Sequence, residues 1–203
     1  MKVNLYKLKK SLSGELYYSE LYKNIYATDA SSYKETPLAV AIPKNEEDVR
    51  KLIKYASKHK LSLIPRTAGT SLSGQVVGKG IIVDSSKYFT EILELNKEEH
   101  WVRVQPGVVL DELNMYLEQH GLFFGPETST SSRCMLGGML GNNSCGSHSI
   151  IYGSTRDHTL EVKCILSDGS DAIFKNINKA EFENKCKQNN LEGNIYKKIS
   201  EIL

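Results

Sequence analysis

Two glycine-rich stretches hold the residues of this chain best suited to chemistry. The first reads Pro65-Arg66-Thr67-Ala68-Gly69-Thr70-Ser71-Leu72-Ser73-Gly74-Gln75 and follows the apolar run 61–64. Small residues, hydroxyls and two glycines let backbone N–H groups come close to a ligand and cradle phosphate oxygens. Gly69 and Gly74 have the spacing of the two P-loop glycines, but Gln75-Val76 stand where a triphosphatase needs Lys then Ser or Thr. A Rossmann G-x-G-x-x-G is also missing. By spacing alone the loop is either a phosphate cradle of another type or a structural turn. The second stretch reads Cys134-Met135-Leu136-Gly137-Gly138-Met139-Leu140-Gly141-Asn142-Asn143-Ser144-Cys145-Gly146. Adjacent glycines allow close backbone approach to a flat or anionic group, and the two amides can donate or accept. One such stretch would read as a turn; two, each following a scaffold element, favour a large phosphate-bearing cofactor. His148 and His158, as imidazoles, are candidate bases. Cys145, beside glycines, reads as a small packed thiol.

Scaffold elements must bring the two stretches to one ligand. Residues 38–42 are an apolar strand candidate that stops at Pro43. Asn45 offers an N-cap, with Glu46, Glu47 and Asp48 in the first turn, where the helix dipole favours acids. Val49, Leu52, Ile53 and Ala56 recur at i, i+3, i+4, i+7, so 45–59 reads as an amphipathic helix. With a strand at 61–64 this makes a βαβ unit with parallel strands and a right-handed crossover. The first stretch then starts beyond the carboxyl end of a strand, where open α/β sheets bind ligands. A strand at 80–84 and a hairpin at 90–95 and 100–105 follow, broken by Pro106-Gly107. Leu110, Leu113 and Leu117 mark a helix over 108–120, with Gly121 as its stop. Residues 121–156 show little periodicity. A strand at 160–166, an Asp168-Gly169 turn and a return strand from 172 lead to a polar, helical tail over 178–203. The tail ends on an apolar segment without a stop signal, which reads as a chain cut from something longer. Residues 1–36 are polar and tyrosine-rich and read as an arm packed on the domain. A short helix over 15–24 would put Tyr18, Leu21, Tyr22 and Ile25 on one face.

A length of 203 residues fits one large domain or two lobes sharing a core. A net charge of +2 gives no electrostatic case for nucleic acid or an anionic membrane. None of the four cysteines forms a C-x-x-C pair, so zinc and iron–sulfur spacing is missing and no metal is expected. No secretory signal precedes them, which sets a cytoplasmic location as the expectation, peripheral to a membrane only through a partner. No apolar run approaches the ~20 residues of a membrane span.

In combination the motifs resemble the FAD-binding domain of the vanillyl-alcohol oxidase/p-cresol methylhydroxylase (PCMH-type) family. Residues 65–75 look like that family's pyrophosphate loop, usually P-R-G-G-G-T-S-L-x-G. The segment 124–129 with Leu136-Gly137-Gly138 and Asn142-Asn143-Ser144-Cys145-Gly146 looks like its second FAD-contacting region. Tyr152-Gly153-Ser154-Thr155-Arg156-Asp157-His158 is similar to its Y-G-x-T-x-D-x run, and Val104-Gln105-Pro106-Gly107-Val108 to its V-x-P-G-V. Within the family the likeness is nearest to FAD-linked dehydrogenases of D-2-hydroxy acids such as D-lactate, glycolate and D-2-hydroxyglutarate. The run from Gly137 to Ser149 is similar to large members that also carry a C-terminal iron–sulfur module. Thr67-Ala68 depart from the usual pattern by replacing two loop glycines.

The resemblance implies an α+β, PCMH-type FAD-binding fold. Residues 1–34 would be the arm and 35–175 the FAD-binding domain. Within it a small βαβ lobe spans 35–87 and a larger, mainly antiparallel lobe 88–175. Residues 176–203 would begin a truncated C-terminal region. It also implies FAD bound without a covalent tether, because Thr70 stands where tethered relatives carry His. Pro65, Arg66, Thr67, Ala68, Gly69, Thr70, Ser71, Leu72, Gly74 and Gln75 would line the pyrophosphate side. The Arg66 side chain would lie either on phosphate or at the surface. Pro126, Thr128, Gly137, Gly138, Gly141, Asn142, Ser144 and Gly146 would approach the ribityl chain, pyrophosphate or flavin edge, and Val162 would offer a backbone contact to adenine. Catalytic histidines and substrate-binding arginines in the family come mainly from the substrate domain, which sets His148 and His158 aside. The implied enzyme takes a hydride from a D-2-hydroxy acid, with this chain lacking the substrate half. The alternatives are a stand-alone flavin-binding subunit completed by a partner chain or electron acceptor, and a UDP-N-acetylenolpyruvylglucosamine reductase-like protein.

Overall fold

The chain opens on a helix, α1 (Leu5–Ser11), whose Asn4 side chain caps the Lys7 N–H. The structure, a computed structural model, describes residues 3–202. Met1, Lys2 and Leu203, parts of the expected arm and tail, lie outside the described residues.

The expected helix over 15–24 is only half right. Glu15–Tyr17 form a strand, β1, and the helix is confined to α2 (Glu20–Ile25). Glu15, Leu16 and Tyr17 pair antiparallel with Ile42, Ala41 and Val40 of β2 (Ala39–Ile42). Pairing a sheet edge and burying Leu16 outweigh a weak local periodicity. On the face expected to pack, Leu21 and Ile25 remain 66% and 57% exposed. Leu8 and Leu16 both enter the core, so the N-terminal segment forms part of the sheet layer.

Helix α3 (Glu46–His59) begins at the Asn45 cap as expected. Leu52 and Ala56 are its buried face. Asp48, also fully buried, accepts the backbone N–H groups of Ser13, Gly14 and Lys44 at 2.9, 2.8 and 3.1 Å. That carboxylate ties the entry to β1 onto the β2–α3 corner. The chain continues into β3 (Leu63–Arg66) and β4 (Ile81–Asp84). The sheet order is β1-β2-β4-β3, with β2 and β3 each parallel to β4. The two strands of the βαβ unit are thus parallel but not neighbours, because β4 inserts between them. Every residue of β2 and β4 is buried, the mark of a parallel sheet covered on both faces.

A hairpin, β5 (Ile92–Asn96) with β6 (Trp101–Val104), leads to α4 (Leu110–Glu118). Leu113 and Leu117 pack with Val108 against hairpin residues Ile92, Leu95, Val102 and Val104. Gly121 takes a left-handed φ of 69° just past the helix, the expected stop. The region 121–156, expected to be irregular, contains α5 (Leu136–Asn142), α6 (Ser149–Tyr152) and a 3-10 turn at Thr155–His158.

Contacts divide the chain into two units, Met1–His158 and Thr159–Leu203. In the second, β7 (Glu161–Ile165) and β8 (Asp171–Lys175) form the expected hairpin, followed by α7 (Lys179–Cys186) and α8 (Leu191–Ile202). The rings of Phe174 and Phe182 pack on Tyr196. No helix among the described residues is long and apolar enough to cross a membrane.

Candidate functional site

The first glycine-rich stretch leaves the carboxyl end of β3. Pro65 and Arg66, read as loop residues from the sequence, are the last two residues of that strand. Arg66 lies opposite Asp84, and its carbonyl accepts the Ser85 N–H at 3.0 Å, which anchors the root of the loop. Residues 67–80 then form no helix or strand. Gly69 and Gly74 hold φ of 69° and 67°, a left-handed geometry that costs side-chain-bearing residues energy. The Ser71 hydroxyl bonds the Gln75 side chain and accepts the Ser73 N–H, closing the loop on itself. Among the described residues, none of the six backbone N–H groups from Thr67 to Leu72 donates to another protein group. Such a run of unspent donors, with the Thr70 hydroxyl beside it, is the chemistry of an anion cradle.

Within the second stretch, part of a region expected to show little periodicity, Leu136–Asn142 form helix α5. Glycine disfavours helix, so packing must make α5. Its Met139 is buried against Leu110 and Cys134, and its first N–H groups, from Leu136 and Gly137, donate to the carbonyls of Val108 and Pro106 at 2.9 Å each. A Cβ on Gly137 would fall 2.5 Å from Pro106 Cβ, so only glycine lets the helix start so close to Pro106. A Cβ on Gly107 would meet the carbonyls of Ser85 and Phe89 at 2.7 Å each. Ser85, which holds the loop root, therefore also lies against the Pro106-Gly107 corner under α5, whose Gly107 N–H donates to the Phe89 carbonyl at 2.7 Å.

The two stretches meet directly. The Cβ position of Gly138 lies 2.6 Å from Thr67 Oγ1, so the hydroxyl at the start of the loop rests on the bare backbone of α5. Gly141 and Asn142 sit one turn further on, both exposed, and nothing lies within 4 Å of a Cβ on Gly141. Asn143 caps the helix in the left-handed region at φ 47°. The Ser144 carbonyl accepts from Thr155 N and Oγ1 at 2.9 and 2.7 Å, fixing the exit. Gly146 passes against the Glu127 carbonyl, 2.3 Å from its Cβ position. Pro126 is buried, and the Thr128 hydroxyl is spent on Cys134 Sγ and Thr130 at 3.2 Å each. Burial pushes the Cys134 thiol above its ordinary range, which keeps it protonated. Val162 lies on β7 of the second unit, opposite Phe174.

Several contributors carry no motif and escaped sequence reasoning. Tyr26, Thr28, Ala30 and Tyr33 all touch the first loop or its root. Their irregular spacing gives no periodic signal. Glu127 holds His148, with Nδ1 2.6 Å from its carboxylate, and accepts the Ser147 hydroxyl at 3.1 Å. His158 Nε2 lies 2.5 Å from the Tyr152 carbonyl. Among the described residues no group of His, Cys, Asp or Glu is placed to hold a metal ion.

Comparison with known proteins places this geometry. A family model described as an FAD binding domain matches residues 37–171. The chain is 40% identical over 183 residues to a D-2-hydroxyglutarate dehydrogenase of Pseudomonas putida, covering 89% of this chain and 18% of that protein. It is 46% identical over 146 residues to the Haemophilus influenzae enzyme of the same name, covering 70% and 14%. It is 34% identical over 157 residues to a mitochondrial D-lactate dehydrogenase [cytochrome] of Kluyveromyces lactis, covering 75% and 26%. The chain thus spans less than a fifth of the length of the D-2-hydroxyglutarate dehydrogenases it matches. Among solved structures, a Physcomitrella patens BBE-like 1 variant superposes at TM-score 0.73 with 19% identity, covering 85% of this chain and 38% of that one. p-Cresol methylhydroxylase superposes at 0.69 with 17% identity, covering 78% and 32%. At these identities the structural matches speak for the fold, which is the α+β PCMH-type arrangement expected from the sequence.

Proposed function

This chain belongs to the FAD binding domain family, and we propose that it is the FAD-binding part of a dehydrogenase acting on D-2-hydroxy acids, with residues 67–72 holding the cofactor's pyrophosphate. FAD is the family's cofactor, and relatives named for D-2-hydroxyglutarate and D-lactate point to the substrate class. The observation that carries the reading is the run of six backbone N–H groups without a protein acceptor. A pyrophosphate would satisfy several of them at once, and fixed amide dipoles bind it without the reorganisation that flexible lysines require.

The remaining roles follow from placement. Gly141 leaves its part of the α5 surface free of side chains, beside the point where Thr67 rests on Gly138, which suits a flat or extended ligand lying on backbone. Gly74 and Gln75 close the far side of the loop. Pro126, Thr128, Asn142, Ser144 and Gly146 flank α5 and would form the second wall, while Val162 would offer backbone polar groups to adenine. Thr70 has no nucleophilic nitrogen, so the flavin is held without a covalent bond. FAD supplies the capacity to take a hydride from the α-carbon of the hydroxy acid, leaving the 2-oxo acid. The chain's own residues bind and orient; none is assigned the substrate proton. A partner subunit or further domain would supply the substrate pocket.

The direct test is a visible spectrum of purified protein after FAD is added and the excess removed by gel filtration. A stoichiometric yellow complex is expected. A folded protein that elutes colourless refutes the assignment. Steady turnover of D-2-hydroxyglutarate or D-lactate with a dye acceptor by this chain alone would refute the claim that substrate handling lies elsewhere.

A further inference from the structure

The first loop is shaped from outside, by residues 26–33, which precede the part of the chain matched to the family model. Arg66 turns its guanidinium inward: Nη1 donates to the Thr28 carbonyl at 2.9 Å, and the group lies 5.1 Å over the Tyr26 ring. It also fills the space against Gly69, whose Cβ position is 2.7 Å from Arg66 Nη2. The Tyr26 hydroxyl donates to Asp84, the register partner of Arg66, at 2.6 Å. Ala30 N–H donates to the Gly69 carbonyl at 3.0 Å. The Tyr33 ring packs on Gly74, with Cδ2 2.5 Å from the Cβ position there. Both left-handed glycines of the loop are therefore gripped by one short segment. That segment is itself fixed: Asp29 Oδ1 accepts the Ser31 N–H at 2.9 Å, and the Ser31 hydroxyl oxygen accepts the Tyr33 N–H at 3.1 Å.

We propose that residues 26–33 are a buttress that presets the pyrophosphate loop, and that Arg66 is a positioning residue acting inward on the loop instead of a direct phosphate ligand. A guanidinium that swung out to phosphate would give up the Thr28 carbonyl and the Tyr26 ring face and leave Gly69 held by the Ala30 N–H alone among these contacts. Presetting matters because a flexible loop must be ordered when ligand binds, and that ordering weakens affinity. The proposal rests on the assignment of residues 67–72 to pyrophosphate.

The test uses the full chain with FAD and with ADP, which shares the pyrophosphate, at low and high salt. Arg66→Lys and Tyr33→Ala are expected to weaken both ligands together by roughly 10- to 100-fold, and Tyr26→Phe by roughly 3- to 10-fold. The loss should be the same at both salt concentrations, because a strut acts through shape and not through an exposed ion pair. Thermal melts should stay cooperative; a variant that loses its melt is replaced in the argument by Tyr26→Phe, which removes one oxygen. Wild-type affinity in Tyr33→Ala and Tyr26→Phe overturns the buttress. Near wild-type affinity in Arg66→Lys, with a loss in Arg66→Gln that shrinks at high salt, overturns the inward role of Arg66. Wild-type protein that binds neither FAD nor ADP instead overturns the pyrophosphate assignment, a result visible before any variant is made.

Discussion

Replacing Gly138 by alanine tests whether the two glycine-rich stretches form one site. The new Cβ would stand 2.6 Å from Thr67 Oγ1, well inside van der Waals contact. Two effects oppose each other. Alanine in place of glycine in a helix gains up to about 1 kcal/mol from propensity. The overlap costs about 1–3 kcal/mol, because Thr67 is β-branched and can answer only by turning about χ1 into the loop. In a Thr67→Ala background the nearest remaining atom is the residue 67 Cβ, at 4.0 Å, an ordinary contact. Gly138→Ala should then be neutral or stabilising. The double-mutant cycle therefore isolates a coupling of about 1–3 kcal/mol between residues far apart in the chain.

The assay is denaturant unfolding of the four proteins together with their FAD affinity by flavin fluorescence quenching. Gly138→Ala alone should weaken FAD about 10-fold, since a displaced Thr67 moves the first cradle N–H groups. The second substitution should restore most of that loss. Additivity within about 0.5 kcal/mol on both readouts would refute the contact as the link between the stretches. Gly137→Ala serves as contrast: its Cβ would meet the ring and carbonyl of Pro106 at 2.5 and 3.0 Å, which cannot rotate away, so Thr67→Ala should give it no relief.

Three further outcomes are expected. Gly141→Ala should raise the melting temperature, because nothing lies within 4 Å of the new Cβ and helix propensity improves by up to about 1 kcal/mol, while lowering FAD affinity if α5 faces the cofactor; unchanged affinity would remove Gly141 from the site. Flavin bound to the chain should be released completely by acid precipitation, and fluorescence that stays with the denatured protein would refute the non-covalent reading of Thr70. The Lys87 ammonium first, then the Tyr17 and Tyr88 hydroxyls, hold the Glu15 carboxyl at about 2, below its ordinary 4.5. A folded pKa below the unfolded one gives stability that is complete above pH 4.5 and lost as pH falls toward 2; solvent access keeps the gain to about 1 kcal/mol. Wild type and Glu15→Gln should thus differ in melting temperature at neutral pH and converge in acid; a constant difference would refute the network.

What the sequence disclosed follows from how local each signal is. Helix α3 was legible because its cap, acidic first turn and apolar stripe all lie within fifteen or so residues of one another. Strand β1 was not, because three residues become a strand only through a partner, β2, that comes later in the chain. The order β1-β2-β4-β3 was hidden for the same reason: nothing local says that β4 enters between the strands of the βαβ unit. Helix α5 ran against local preference, since its glycines argue for a turn, and it forms because Val108, Pro106 and Leu110 receive it. For the site, residue types alone left cradle and turn undecided; the combination of motifs, by resemblance, named the cofactor. The buttress left no trace, because Tyr26, Thr28, Ala30 and Tyr33 act through a ring face, two backbone groups and a van der Waals contact.

The glycines of the two stretches do different physical work, and this explains why Thr67 and Ala68 can replace two glycines of the usual loop pattern. In the first loop, only Gly69 and Gly74 hold a positive φ, so only those two positions need glycine for backbone freedom. Thr67 and Ala68 sit where any residue can adopt the backbone. In α5 the demand is for clearance: Gly137 and Gly138 have helical dihedrals open to any residue, but Pro106 and Thr67 occupy the space a Cβ would need. A larger residue at 67 is therefore admitted by a bare residue at 138. Where the loop carries glycine at 67, the constraint on 138 is lifted, and a relative with Gly at the first position should tolerate alanine at the second without loss of FAD affinity. A chain carrying both changes that still bound FAD poorly would show that clearance at α5 serves the ligand and not the loop.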